Sequence, residues 1–179
     1  NGAYVQKDEG KGNWVVGSTL CLNLRNIDKI PAFYNPEGAR GEDAFFSVNL
    51  KDSKITKVPV YHFHDGFLKY KEVMQQKYPK ELKEIKALDK NVEARFFNAS
   101  MGWIKYKPLF LYLTDKENYK EKIMRTYEGL KSSIPEINKL FNDNVFDTLI
   151  LSLKEYDDKV EIHYEEFIKV NKIWDKLKN

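Results

Sequence analysis

Leu20-Cys21-Leu22-Asn23-Leu24, at the end of the stretch Trp14 to Leu24, is the segment on which the fold turns. Its leucines alternate with Cys21 and Asn23 at the two-residue period of a strand, apolar on one face and polar on the other. The spacing therefore predicts a half-buried strand. A second short strand is expected over Ile55 to Phe63, at a sheet edge or near a strand start because Pro59 cannot donate to a ladder. Between the two, Asn26 to Ile30 reads as a short turn of helix, and Pro31 to Arg40 reads as a loop, with two prolines, a glycine and an asparagine. Glu42 to Leu50 fits strand or helix by period alone; the acidic residues at its start favour a helix N-terminus.

From Gly66 onward the texture changes. Lysine, glutamate, leucine and aromatics dominate, and apolar residues recur at helical spacing. Helices are expected over Gly66 to Lys77, Lys80 to Leu88, Asn91 to Leu113, Lys116 to Lys131, Glu136 to Phe141 and Asn144 to Leu177, with Pro79 and Pro135 as boundaries. The last has an alternative: a hairpin of Thr148 to Leu153 and Val160 to Tyr164 around Asp157 and Asp158. The expectation is an α/β fold, a small sheet followed by a mainly helical C-terminal region, divided into 1–66 and 67–179.

The chain has 179 residues and is 42% hydrophobic, enough for a substantial core. Thirty lysines and arginines against 27 acidic residues leave +3, interspersed, so no nucleic-acid partner is called for. The single cysteine, Cys21, cannot form an intrachain disulfide, and a reducing compartment, the cytoplasm, is expected. No run approaches the ~20 apolar residues of a membrane span.

Three features bear on chemistry. Arg40-Gly41-Glu42-Asp43 puts two carboxylates where a helix N-terminus favours their ionised form, either as a cap or with one projecting into a cleft as a general base. Tyr61-His62-Phe63-His64-Asp65 places His62 and His64 on one side of a strand, where two imidazoles suit a divalent metal or form a structural pair. Val16-Gly17-Ser18-Thr19 is a small-residue turn that lets a ligand approach the backbone, or simply a tight turn. His163, in a charged segment, reads as a surface residue.

Taken in order, Gly17 to Arg25, Ile30-Pro31-Ala32-Phe33, Arg40-Gly41-Glu42-Asp43-Ala44-Phe45-Phe46-Ser47 and Val58 to Asp65 resemble the acceptor half of GT-A-fold glycosyltransferases, family two in particular. The resemblance covers roughly Gly17 to Tyr70. It implies that Asp43 is the catalytic base with Glu42 beside it, that Gly17, Ser18 and Arg40 border the substrate, and that His64 or His62 binds a divalent metal, manganese or magnesium. It also implies a nucleotide-sugar donor, a glycan or lipid-linked acceptor, and transfer with inversion. The nucleotide-binding half and its Asp-x-Asp motif do not precede this segment. With no initiating methionine, the chain then reads as the C-terminal portion of a longer enzyme, lacking an N-terminal half. Its lysines suggest peripheral contact with an anionic membrane as a lesser reading. The rival class is a non-catalytic binding protein, such as a toxin-neutralising immunity protein, whose lysine- and glutamate-rich helices cover a partner.

Overall fold

The computed structural model describes Val15, Leu20 and residues 22–50 and 90–178. Among these residues there is no strand, which overturns the expected α/β fold and its small sheet. Leu22 and Asn23 have no regular structure, and Leu24–Lys29 forms a 3-10 turn. The cause is local: the Asn23 side-chain oxygen accepts a hydrogen bond from the Arg25 backbone N–H at 3.1 Å and caps the turn. A ladder partner would have had to compete with that bond, and the leucine alternation supplies none by itself. Leu22 and Leu24 are exposed instead. The expected strand over Ile55 to Phe63 and the expected helices Gly66 to Lys77 and Lys80 to Leu88 lie outside the described residues.

Among the described residues, five α-helices follow the turn: α1 (Glu42–Val48), α2 (Lys90–Thr114), α3 (Tyr119–Phe141), α4 (Thr148–Asp158) and α5 (Val160–Lys178). Acidic residues in the first turn of α1 agree with the helical choice made for this segment. Helix α3 runs through Pro135, where a boundary was expected. Pro135 and Lys131, whose carbonyl loses its helical donor to the proline, are both exposed, so water can serve that oxygen. Asn142 then ends the helix in the left-handed conformation, φ 52°.

The hairpin alternative for the last segment is excluded, since α4 and α5 are helices separated by Lys159 alone. Their hydrogen bonding barely breaks: the Lys159 N–H donates to the Glu155 carbonyl at 3.1 Å and the His163 N–H to the Lys159 carbonyl at 3.0 Å. Buried residues pass through the junction as Leu149, Leu153, Tyr156, Val160, His163 and Phe167, alternately four and three apart. That stripe faces α2.

Helix α2 is central and touches α1, α3, α4 and α5. Pro108, Leu109, Phe110 and Leu111 are consecutive and all buried, which a helix permits only when it is covered on every side. Leu109 and Phe110 pack with Tyr34, Ala44, Phe45 and Phe167. Leu111 packs with Tyr119, Ile123, Leu153 and Val160. At the other end, Ile134, Phe141, Phe146 and Leu149 close over Phe97 and Met101. No helix among the described residues is long and apolar enough to cross a membrane.

The segment from Ile30 to Glu37 is a strap laid antiparallel along α5 and α4. Its Ile30 carbonyl accepts from Trp174 Nε1 at 2.6 Å, and its far end is held by the Tyr156 hydroxyl, which donates to the Glu37 carbonyl. Tyr156 and Trp174 are five helical turns apart, about 27 Å, and the strap covers that distance with the eight residues Ile30 to Glu37 and the two long side chains that reach for it. Pro31 and Pro36 suit that backbone, because their fixed φ and missing N–H exclude helix. The chain reverses where the Ala39 N–H donates to the Pro36 carbonyl at 2.9 Å, with Gly38 at φ 67°. Helix α1 then returns, and Asn49 Nδ2 meets Asn171 Oδ1 at 3.1 Å.

Two glycines give opposite expectations. A Cβ on Gly102 would fall 2.5 to 2.8 Å from the Arg40 side-chain stem, including its Cβ, whereas one on Gly129 would meet nothing within 4 Å. In urea denaturation, Gly129→Ala should stabilise by up to ~1 kcal/mol through helix propensity, and Gly102→Ala should destabilise despite the same propensity gain. Leu153→Ala, at a fully buried position, should cost about 3 kcal/mol, and Leu151→Ala, at one 67% exposed, under about 0.5 kcal/mol.

Candidate functional site

Of the residues singled out from the sequence, Gly17, Ser18, His62 and His64 lie outside the described residues. Glu42 is exposed in the first turn of α1, and Asp43 beside it is half-buried. Asp43 is locally engaged: its Oδ1 accepts from the Ala44 N–H at 2.9 Å, and its carbonyl accepts from the Ser47 hydroxyl at 2.6 Å. Arg40 is exposed at its head, its backbone N–H donates to the Gly102 carbonyl at 3.1 Å, and its stem lies across Gly102. The turn and helix expected of this segment are thus present, but they join the strap to α2.

Ionisable and aromatic groups converge elsewhere, where the strap crosses the α4–α5 junction. His163, expected at the surface, is only 8% exposed. Its position on the helical stripe decides this: it follows Val160 by three and precedes Phe167 by four, so it shares their inward face. The signal was legible as spacing but was outweighed by the charged neighbours. The Tyr156 ring lies 5.0 Å from the His163 ring, centroid to centroid, and Lys105 Nζ lies 5.5 Å from the Tyr156 centroid. The His163 Nδ1 is buried and meets no hydrogen-bonding group.

Tyr34 of the strap enters the same junction. Its hydroxyl lies 3.0 Å from Glu166 Oε2 and 3.3 Å from the His163 carbonyl, and donates its one proton between them. The ring packs edge-on against Phe45 and Phe167. Burial, then the bond and charge of Glu166, push the Tyr34 hydroxyl pKa up, so it remains a donor. Burial pushes the His163 pKa below its ordinary value, outweighing the opposing effect of Glu166, so the ring is neutral at pH 7. A second lock joins α3 to α4: the Tyr119 hydroxyl donates to Asp157 Oδ1 at 2.5 Å.

Outside this junction α5 presents an open groove lined by Tyr164, Glu165, Ile168, Lys169, Lys172, Ile173 and Lys176. Among the described residues, no group of three or more His, Cys, Asp and Glu side chains converges to hold a metal ion.

No protein-family model matches the chain, and no solved structure matches it. It is similar over part of its length to curated proteins called trigger factor. Those of Prochlorococcus marinus strains MIT 9215, MIT 9301 and AS9601 are each 38% identical over 78 residues, 44% of this chain and 14% of the relative. The match thus spans about a seventh of those proteins' length. Together with the absence of strands among the described residues, these findings overturn the resemblance to GT-A glycosyltransferases: the small-residue turn was to lead into a strand, and Leu22–Lys29 is an irregular stretch and a 3-10 turn.

The junction is a fastening with measurable strength. Tyr34→Phe and Tyr156→Phe each remove one hydroxyl that holds the strap and should each cost about 1 to 2 kcal/mol in chemical denaturation. Because both act on the same few residues of strap, the double variant should depart from additivity by at least about 0.5 kcal/mol.

Proposed function

We propose that this chain acts by binding another protein, as a non-catalytic helical module in the cytoplasm, and that the outer face of α5 is its contact surface. The observation that carries this reading is a line of large aliphatic side chains left outside. Eleven residues make slightly more than three helical turns, so Ile162 and Ile173 stand nearly on one line along α5, with Leu177 about one turn further. They are 56%, 48% and 73% exposed. Ile173 also lines the groove, and among the described residues Lys169, Lys172 and Lys176, which line it too, form no ion pair.

An amphipathic helix ordinarily places only polar groups on its outer face. Three aliphatics on one exposed line, beside cations with no ion-pair partner among the described residues, suit a partner that offers both apolar side chains and carboxylates. Such a partner gains from covering the aliphatics, while the lysines set its orientation. Glycosyl transfer rested on the overturned resemblance, and the geometry of the described residues adds no support for it.

A photo-crosslinking amino acid at position 173, introduced into the full chain in its native cells, should give a discrete protein adduct. The same group at Ser132, exposed on α3, should not. No adduct at 173, or the same adducts at both positions, would count against the reading. Ile173→Asp, introduced with the crosslinker at 176, should abolish the adduct and change stability by less than about 0.5 kcal/mol.

A further inference from the structure

We propose that His163 makes the docked strap acid-sensitive: protonation of its imidazole releases Ile30 to Gly41 from the α4–α5 junction while the helices stay packed.

The geometry leaves an imidazolium at this position without an uncommitted counter-charge. Two carboxylates lie in its field, and each is already committed. On the α4 side, Glu155 Oε1 pairs with Lys159 Nζ at 2.6 Å. On α5, Glu166 Oε2 holds the Tyr34 hydroxyl at 3.0 Å. Among the described residues, the cations near the ring are Lys159 at the junction and Lys105 of α2 across the Tyr156 ring. The strap adds the Tyr34 hydroxyl, the Glu37 carbonyl held by Tyr156, and the Glu37 carboxylate, whose charge acts on Tyr156 and Lys159 rather than on the imidazole. A proton on Nδ1, the buried atom with no partner, therefore has two outcomes. Either the cation stays unpaired in a buried site, which is costly, or it draws Glu166 away from Tyr34. Both weaken the docked state. The strap, once free, leaves the imidazole open to water, where it ionises normally.

The sign follows from the depressed pKa. Above about pH 6.5, the ordinary histidine value, the ring is neutral whether the strap is docked or free, and docking has its full strength. As pH falls, the free state takes up a proton that the docked state resists, and docking weakens by up to about tenfold per pH unit until the docked-state pKa is reached. Lys159 holds Glu155 below the ordinary carboxylate range, and comparison with His163→Gln separates the histidine from any other group over the interval between about pH 6.5 and 5.

Amide hydrogen exchange on the full chain reads this directly. The N–H groups of Ala39, Arg40 and Gly41 are bonded to the Pro36 carbonyl, the Gly102 carbonyl and Asn35 Oδ1 when the strap is docked. After correction for intrinsic exchange, their protection should fall about tenfold or more between pH 6.5 and 5, while the amides of Leu109 and Leu153 keep theirs. The His163 ring, followed by NMR in the same samples, should titrate below the ordinary value and in step with that loss. Unchanged strap protection overturns the proposal, as does loss in step with the helices, or a titration of His163 that leaves the strap amides untouched. His163→Gln should give pH-independent strap protection; a variant that does not fold leaves the wild-type titration to decide.

Discussion

Helix α2 must be enclosed. Four consecutive buried residues, Pro108 to Leu111, point in every direction around its axis, so no single neighbouring helix can cover them. Leu111 needs α3 and the α4–α5 stripe; Leu109 and Phe110 need Phe167 and a further layer. That layer is the strap and α1, which bring Tyr34, Ala44 and Phe45 to the remaining side. The N-terminal stretch is therefore part of the enclosure of α2, and its conformation follows from the surface it has to cover.

The two sides of the enclosure are held by different chemistry. Against α3 and α4 the contacts are mostly aliphatic and aromatic, with a part-buried polar link from Tyr119 to Asp157. Against the strap, polar groups of α4 and α5 reach backbone carbonyls: Tyr156 to Glu37, Trp174 to Ile30, and Lys178 to Asp28 and Ile30. Extended backbone has no internal partner for those oxygens, and where they leave water a side chain must serve them. A helical layer in the same place would satisfy its own carbonyls and require none of these donors. The strap is thus fixed in position by direction-dependent bonds, and the helices by shape and apolar area.

The helical part of the fold was legible in the sequence because its signal is internal. Leu149, Leu153, Tyr156, Val160 and Phe167 stand four, three, four and seven residues apart, a period that favours a helix and marks its buried face, although a hairpin over the same residues stayed open. The misreadings have particular causes. Leu20, Leu22 and Leu24 alternate correctly for a strand, but a strand exists only with a neighbour, and the capping bond at Asn23 is available to the chain immediately. Pro135 marks a helix boundary only where its orphaned carbonyl cannot find water, and exposure cannot be read from one residue. His163 sat in the right period for the core, but its charged neighbours suggested a surface. The Glu42-Asp43 pair was read correctly as a helix start; the role attached to it came from the resemblance, not from local physics.

The strap carries its anchors at intervals, and each meets a fixed partner: Ile30 with Trp174, Tyr34 with Glu166, Glu37 with Tyr156. Those partners sit on helices, whose spacing does not change, so the strap is held in one register along them. Loss of one residue between Ile30 and Glu37 would displace the anchors on one side by about 3.5 Å, further than a hydrogen bond can stretch. Length in this segment should therefore be constrained in natural variation, the reverse of the indifference to length usual for a surface loop.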